Sequence, residues 1–326
     1  MNPAIALASS APLGERIGPF VFWGILAVLL AVIVWGILRR RARARSRPRT
    51  PAVDGTMPEA YADHHTVRWV GSPDEPIADA RSWPLGVTAI FGICAGEPWD
   101  RLPLANLDNV REGLVEAWGV RSRPQLLARL AWLLREGHRE QFAAAVRSGD
   151  RLDGTPPVDA PEELREFSWR LRQVRADARG IRQVDFLAWD LVRAAMLTRA
   201  GFSLGWLNDA EARDTLNLIS TELQSRYASW AQLGDAFRTA RWFWAAPEGL
   251  EARTQDAHDL SRQRALLDPA RGPWPRLRWD QPLPHSRMLL ADLLVTEGLV
   301  EDDLTPASDS LGQRIDRVIA ARRAAM

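Results

Sequence analysis

Residues 184–230 read VDFLAWDLVRAAMLTRAGFSLGWLNDAEARDTLNLISTELQSRYASW. Val184, Leu187, Leu191 and Ala195 recur at three- and four-residue steps up to Gly201, the spacing that gathers apolar side chains on one face of an α-helix. Asn208-Asp209-Ala210-Glu211 then forms a capping-box pattern, with an N-cap side chain and a glutamate three positions on to satisfy two free backbone N–H groups. The helix it opens carries Leu216, Ile219, Leu223, Tyr227 and Trp230. Two consecutive helical patterns with no period-two alternation between them decide for an α-helical domain.

The flanks repeat the signal. Upstream, Val110, Leu114 and Trp118 predict a helix over Leu107–Trp118 that Gly119 closes. Ser122 and Pro124 open the next, whose stripe of Leu126, Leu127, Leu130, Leu133 and Leu134 ends at Gly137. A further piece starts at Gly137-His138-Arg139 and runs through Phe142 and Val146 to Gly149, and residues 149–160 read as a loop. Pro161 opens a helix with Leu164, Phe167, Leu171 and Val174 on one face, closed at Gly180. Downstream, Gly234 is expected to interrupt the chain before a short helix through Phe237 to Trp244. Residues 268–284 hold five prolines and cannot be regular, and helices are expected at about 286–297 and 308–323. Residues 83–107 are apolar but broken by Gly86, Gly92, Gly96, Pro98 and Pro103, with a helix end expected at Gly92–Gly96. Thr66–Val70 is the best strand candidate.

A different pattern stands at the N-terminus. Ile17 to Leu38 passes twenty-two residues without a charge, and seven arginines follow between Arg39 and Arg49. As a helix this run spans roughly 33 Å, enough to cross a bilayer core. A cleaved signal peptide would carry its positive charge before a shorter apolar core. Arg39, Arg40, Arg41, Arg43 and Arg45 place the following chain on the cytoplasmic side and the N-terminus outside. Ala27 and Ala31 form a small-xxx-small pair through which two anchors could pack as a homodimer.

Composition excludes several classes. All 42 basic residues are arginine, and the net charge of +1 hides an asymmetry: residues 1–49 hold eight arginines and one acid. The remainder carries 34 arginines against 40 acids, a poor match for a phosphate-backbone binder, so no nucleic acid is expected as partner. A single Cys94 rules out internal disulfides and thiolate metal clusters. Five histidines lack HxxxH or HExxH spacing, and there is no Gly-rich phosphate loop, so neither metal nor cofactor is expected.

Short motifs stand in a recognisable order: Trp118-Gly119-Val120, Gly137-His138-Arg139 with Phe142, and Ala188-Trp189-Asp190 with Arg193. Gly205-Trp206-Leu207 with Glu211-Ala212, Ser229-Trp230 with Arg241 and Trp244, and Gly272-Pro273-Trp274 complete the series. Over roughly residues 83–285 the chain resembles the bacterial domain-of-unknown-function family 1266, with Ala240 where the family has Gly before Arg241. The resemblance implies a helical bacterial domain and brings no substrate.

Candidate residues follow from residue chemistry. Asp190 and Arg193 sit three apart on one helix, where side chains meet. They form either a helix-surface or interhelix ion pair or a pocket carboxylate held and kept ionised by the guanidinium. His138, at a helix boundary, is a general acid–base candidate or a hydrogen-bonded structural group. Glu211 is assigned to the capping box rather than to chemistry. Trp206, Trp230, Arg241, Trp244 and Trp274 are candidate binding residues, since Trp and Arg dominate hot spots. The same residues also suit a core in which indoles find partners and arginines stack on them.

The expected architecture is therefore mainly α, an irregular multi-helix globular domain with at most one short strand pair, plus one N-terminal transmembrane helix. Its parts are a short outer segment 1–16, the span 17–38, a basic juxtamembrane linker 39–65, a cytoplasmic helical domain 66–300 and a polar tail 301–326. The expected role is a protein-interaction module on the bacterial inner membrane, with the lipid bilayer and a protein as partners. The alternative is a membrane-tethered hydrolase or transferase with a His138/Asp190/Arg193 pocket.

Overall fold

Fourteen of the seventeen residues of the helix Leu187–Ser203 are buried, so this helix is the axis about which the others are arranged. In the computed structural model the described residues are 82–95, 97–148, 162–246, 249–300 and 306–326. The candidate span 17–38, the Arg39–Arg45 block, the Thr66–Val70 strand candidate and the 149–160 loop lie outside them. Within them the structure is mainly α-helical and contains no strand. No helix among the described residues is long and apolar enough to cross a membrane.

The first helices are α1 Trp83–Ala95, α2 Leu107–Trp118, α3 Arg123–Arg135, α4 Gly137–Ser148 and α5 Glu162–Arg175. After a 3-10 turn at Ala178–Gln183 come the axial helix α6 Leu187–Ser203, then α7 Asp209–Arg226, α8 Trp230–Ala245 and α9 Gly249–Leu266. A second 3-10 turn, Trp274–Arg276, precedes α10 Leu289–Thr296 and α11 Ser310–Ala324. Helix α6 packs against α1, α2, α3, α4, α7 and α8.

Several boundaries follow the expected chemistry. Gly119 closes α2 in the left-handed conformation at φ +66°, and Asn208 and Glu211 form both bonds of the capping box. The expected helix through Trp230 instead ends at Arg226. Tyr227 and Ser229 are extended, and the Ser229 hydroxyl caps α8 by accepting from the Gln232 N–H.

Gly234 does not interrupt α8. It lies inside the helix, where a Cβ would sit 2.9 Å from Gln263 Nε2, so its role is to let α9 come close. Gly86 and Gly92 likewise lie inside α1, and a Cβ on Gly86 would meet Leu277 Cδ1 at 2.5 Å. These glycines answer to close packing rather than to chain breaking.

Helix α9 has no counterpart in the sequence reading, because its apolar residues do not gather on one face. Ion pairs help hold it, with Asp259 paired to Arg241 at 3.0 Å and to Arg262 at 3.4 Å. Residues 306–326 of the expected polar tail also join the domain. Leu311, Ile315 and Ile319 of α11 are buried, and α11 packs on α3 and α10.

Four indoles fasten the proline-rich stretch to the helices. Trp230 stacks on Trp274 at 5.4 Å and meets Trp83 at 4.4 Å, while Trp279 stands edge-on to Trp230. Each indole N–H donates to a main-chain carbonyl: Trp83 to Arg278, Trp230 to Leu277, Trp274 to Gly86 and Trp279 to Tyr227. Irregular backbone carries carbonyls that no ladder satisfies, and these donors satisfy part of that demand.

Candidate functional site

Gly137 ends α3 at φ +61° and begins α4. The N–H groups of a first helical turn have no partner within the helix. Asp190, projecting from α6, takes two of them: Oδ1 accepts from His138 N at 2.9 Å and Oδ2 from Arg139 N at 3.1 Å. A carboxylate there also complements the positive end of the helix dipole. A Cβ on Gly137 would lie 2.1 Å from Asp190 Oδ2, so only glycine permits this approach.

Two guanidinia complete the shell. Arg139 Nη1 donates to Asp190 Oδ2 at 3.2 Å and to the Leu133 carbonyl at 2.7 Å, and Nη2 donates to the Leu134 carbonyl at 2.7 Å. Its Nε pairs with Asp309 ahead of α11. Arg193 Nη2 donates to Asp190 Oδ1 at 3.1 Å and also meets His138 Nδ1. A guanidinium only donates, so Nδ1 is the acceptor and the imidazole carries its proton on Nε2.

The electrostatics follow from burial and these partners. Burial raises the Asp190 carboxyl, but His138, Arg139 and Arg193 together hold it below the ordinary aspartate value. His138 is lowered, chiefly by burial, with the positive charges of Arg193 and Arg129 adding to it against the raising effect of Asp190. Burial brings Arg193 down to about 10, leaving it charged at neutral pH.

Outside this shell the side chains close into a ring. Arg193 lies over Trp118 at 5.1 Å, Arg129 over Trp118 at 6.0 Å and over Trp132 at 5.2 Å. Trp132 meets the His138 ring at 4.9 Å, and His138 returns to Arg193. Trp244 stands edge-on to His138 at 4.0 Å, backed by Arg170 at 4.8 Å. Arg170 is paired to Glu166, whereas Arg129 has no carboxylate partner among the described residues. Arg129 and Arg193 repel each other. Among the described residues the acid at their centre is Asp190, which is fully buried and already bound by four donors. Such a ring presents positive charge between indole faces.

The structure thus brings His138, Asp190 and Arg193 together, with His138 Nδ1 3.4 Å from Asp190 Oδ1. Of the candidate binding residues only Trp244 joins them. Trp230 and Trp274 are buried in the indole layer, and Arg241 pairs with Asp259. Trp206 sits at the α6–α7 turn, where its carbonyl accepts from Arg123, itself paired to Glu211 and Glu297. Arg139, Arg129 and Trp132 are the site residues that sequence reasoning did not assign a role. Arg129 and Trp132 stand three apart on the flank of the α3 leucine stripe, the one spacing signal they offer. Among the described residues no group of three His, Cys, Asp or Glu is placed to hold a metal ion.

Several motifs that carry the resemblance meet here: Trp118, Gly137-His138-Arg139, Trp189-Asp190 with Arg193, and Trp244. The chain is 26% identical to the uncharacterized protein YbeR of Escherichia coli (strain K12) over 136 residues, 41% of this chain and 58% of that protein. It is 22% identical to the uncharacterized protein YbeU of the same organism over 207 residues, 55% of this chain and 83% of that protein. The match to the first of these relatives therefore spans less than two thirds of its length. No solved structure matches the chain. The model of the protein of unknown function family DUF1266 matches residues 113–279, just over half of the chain, and the chain belongs to that family.

Proposed function

We propose that the helical domain is a protein-interaction module that receives a carboxylate-bearing segment of a partner on the ring of Arg193, Trp118, Arg129, Trp132 and His138. The observation that carries this reading is the charge balance of the ring: two arginines converge on a neutral histidine while the one central acid is saturated. A carboxylate arriving between the guanidinia would gain charge-assisted hydrogen bonds, and the indoles would exclude water around them. In this reading residues 17–38 tether the module to the bacterial inner membrane with the domain in the cytoplasm, supported by the arginine block that follows them.

The test is co-purification of the full chain in mild detergent. The wild-type chain is expected to recover one defined protein, an acidic peptide from that protein to compete for it, and Arg129→Glu to lose it with an unchanged melting temperature. A domain that returns alone in several detergents, or an Arg129→Glu chain that keeps its partner, overturns the reading.

A membrane-tethered hydrolase or transferase is favoured by one observation, the convergence of His138, Asp190 and Arg193. Against it, both Asp190 oxygens are occupied and His138 Nδ1 is taken by Arg193, so only Nε2 is left for proton transfer. A general base works best with a pKa near the operating pH. Titrating His138 by NMR separates the two readings: a value well below 6.5 fits the binding module, and a value near 7 favours the enzyme.

A further inference from the structure

A second charged surface lies away from this ring. In the three residues before α10 begins, the chain turns through Ser286, Arg287 and Met288, with Met288 at φ +56°. Helix α11 passes opposite and shows this turn Arg314, Arg317, Val318, Ala321 and Arg322. Those positions follow three- and four-residue steps, so they share one face of α11, while Leu311, Ile315 and Ile319 are buried on the other. Between the two segments lies a groove of about 590 Å³.

Its lining holds four arginines and no acid. The groove beside Arg139, about 510 Å³, is lined by four arginines and four acids and is balanced within itself. Two of the arginines on α11 are held from behind: Arg314 by Glu222 at 2.8 Å and Arg322 by Asp292 at 2.6 Å. Arg287 and Arg317 are exposed and have no carboxylate partner among the described residues. Asp214, the nearest acid to the turn, already accepts from Ser286 Oγ, Arg287 N and Leu289 N. The groove floor is apolar, through Met288, Val318 and Ala321.

We propose that this groove binds a phosphate group, with Arg287 and Arg317 as its direct donors and Arg314 and Arg322 supplying field from paired positions. Guanidinium forks match phosphate oxygens, and a phosphate offers three or more oxygens to two forks facing one cleft where a carboxylate offers only two. The apolar floor accommodates the carbon part of a phosphate ester. Two sources share this chemistry, a phospholipid headgroup and a soluble phosphate ester.

The test uses the full chain in uncharged detergent micelles, read by hydrogen exchange of α11 and by a binding titration. Glycerol 3-phosphate probes the soluble source, and phosphatidylglycerol doped into the micelles probes the lipid source. Protection of α11 by either probe, weakened about tenfold per arginine in Arg287→Gln and Arg317→Gln, supports the site. A response to phosphatidylglycerol alone assigns the headgroup, and a saturable response to glycerol 3-phosphate assigns the soluble ester. Both substituted residues are exposed, so the variants keep the fold, which their melting temperatures check. No protection by either probe, or equal protection in the double variant, overturns the proposal.

Discussion

Two assemblies in this domain fasten distant segments of chain together, and they do so by opposite chemistry. Around Asp190 the fasteners are ionised: a buried carboxylate binds the first turn of α4 and two guanidinia. Around Trp230 they are neutral: indole N–H groups bind carbonyls of the 277–279 segment, of α1 and of Tyr227. The indole layer satisfies itself internally and leaves nothing to offer a partner. In the Asp190 assembly Arg193 is paired to Asp190 and Arg139 to Asp309 as well, so the uncompensated charge at its outer edge is that of Arg129, over Trp132. A candidate site arises where the solution to a packing problem is incomplete in charge.

The contrast breaks most sharply at Asp190. Asp190→Ala strands two arginines and two N–H groups in the core, and urea denaturation is expected to show a loss of about 3–5 kcal/mol. Gly137→Ala tests the same hub from the backbone side. Its Cβ would push Asp190 away and its φ is left-handed, so a loss of roughly 2–4 kcal/mol is expected in the same measurement. If Gly137→Ala costs no more than a few tenths of a kcal/mol, the Asp190 carboxylate does not fasten α4.

The neutral layer gives a smaller effect with a different signature. Trp230→Phe keeps much of the stacking but leaves the Leu277 carbonyl unpaired, for an expected loss of about 1–3 kcal/mol that does not vary between pH 5 and pH 8. The hub should vary. His138 binds its proton less readily in the folded state than in the unfolded one, so the unfolded state holds more protons as pH falls through about 6.5. Stability is therefore expected to drop from pH 7 toward pH 5, and His138→Gln should remove part of that slope. His258 is also lowered, by burial and Arg262, and His258→Gln serves as the comparison outside the hub. Asp190 is depressed, so its contribution is present above the ordinary aspartate value and disappears only at lower pH, as the carboxylate protonates. An indole variant with the same pH slope as His138→Gln would erase the distinction between the two assemblies.

The smallest expected effect concerns the rim. Trp244→Ala removes one wall of the His138 ring from a half-buried position, and thermal melting should shift by only a few degrees. Partner retention, measured as above, should fall far more than stability does. A variant that loses stability and partner in parallel would place Trp244 with the core instead.

Helix class, the capping box, the left-handed glycine after α2 and the irregular 268–284 stretch are legible in the sequence, because each depends on neighbours within a turn or two. Gly86 and Gly234 are not legible as helix residues. Whether a glycine breaks a helix or admits a neighbour depends on Leu277 and Gln263, far away along the chain. Helix α9 and the docking of α11 escape for the same reason, since each is stabilised by partners on other elements. Among the candidate residues, the Asp190–Arg193 pair is local and readable, whereas its union with His138, 52 positions away, is tertiary.

By itself, then, the sequence determined that the described domain is helical, where most of its helices cap and end, and which side chains carry chemistry. Only the tertiary structure decided which tryptophans belong to the core and which to the ring. It alone placed Asp190 as the cap of another helix and left Arg129 without a carboxylate among the described residues. Local rules follow from backbone geometry and one or two turns of chain. Charge balance at a site depends on which distant residues folding brings within a few ångströms, and no spacing in the sequence encodes that.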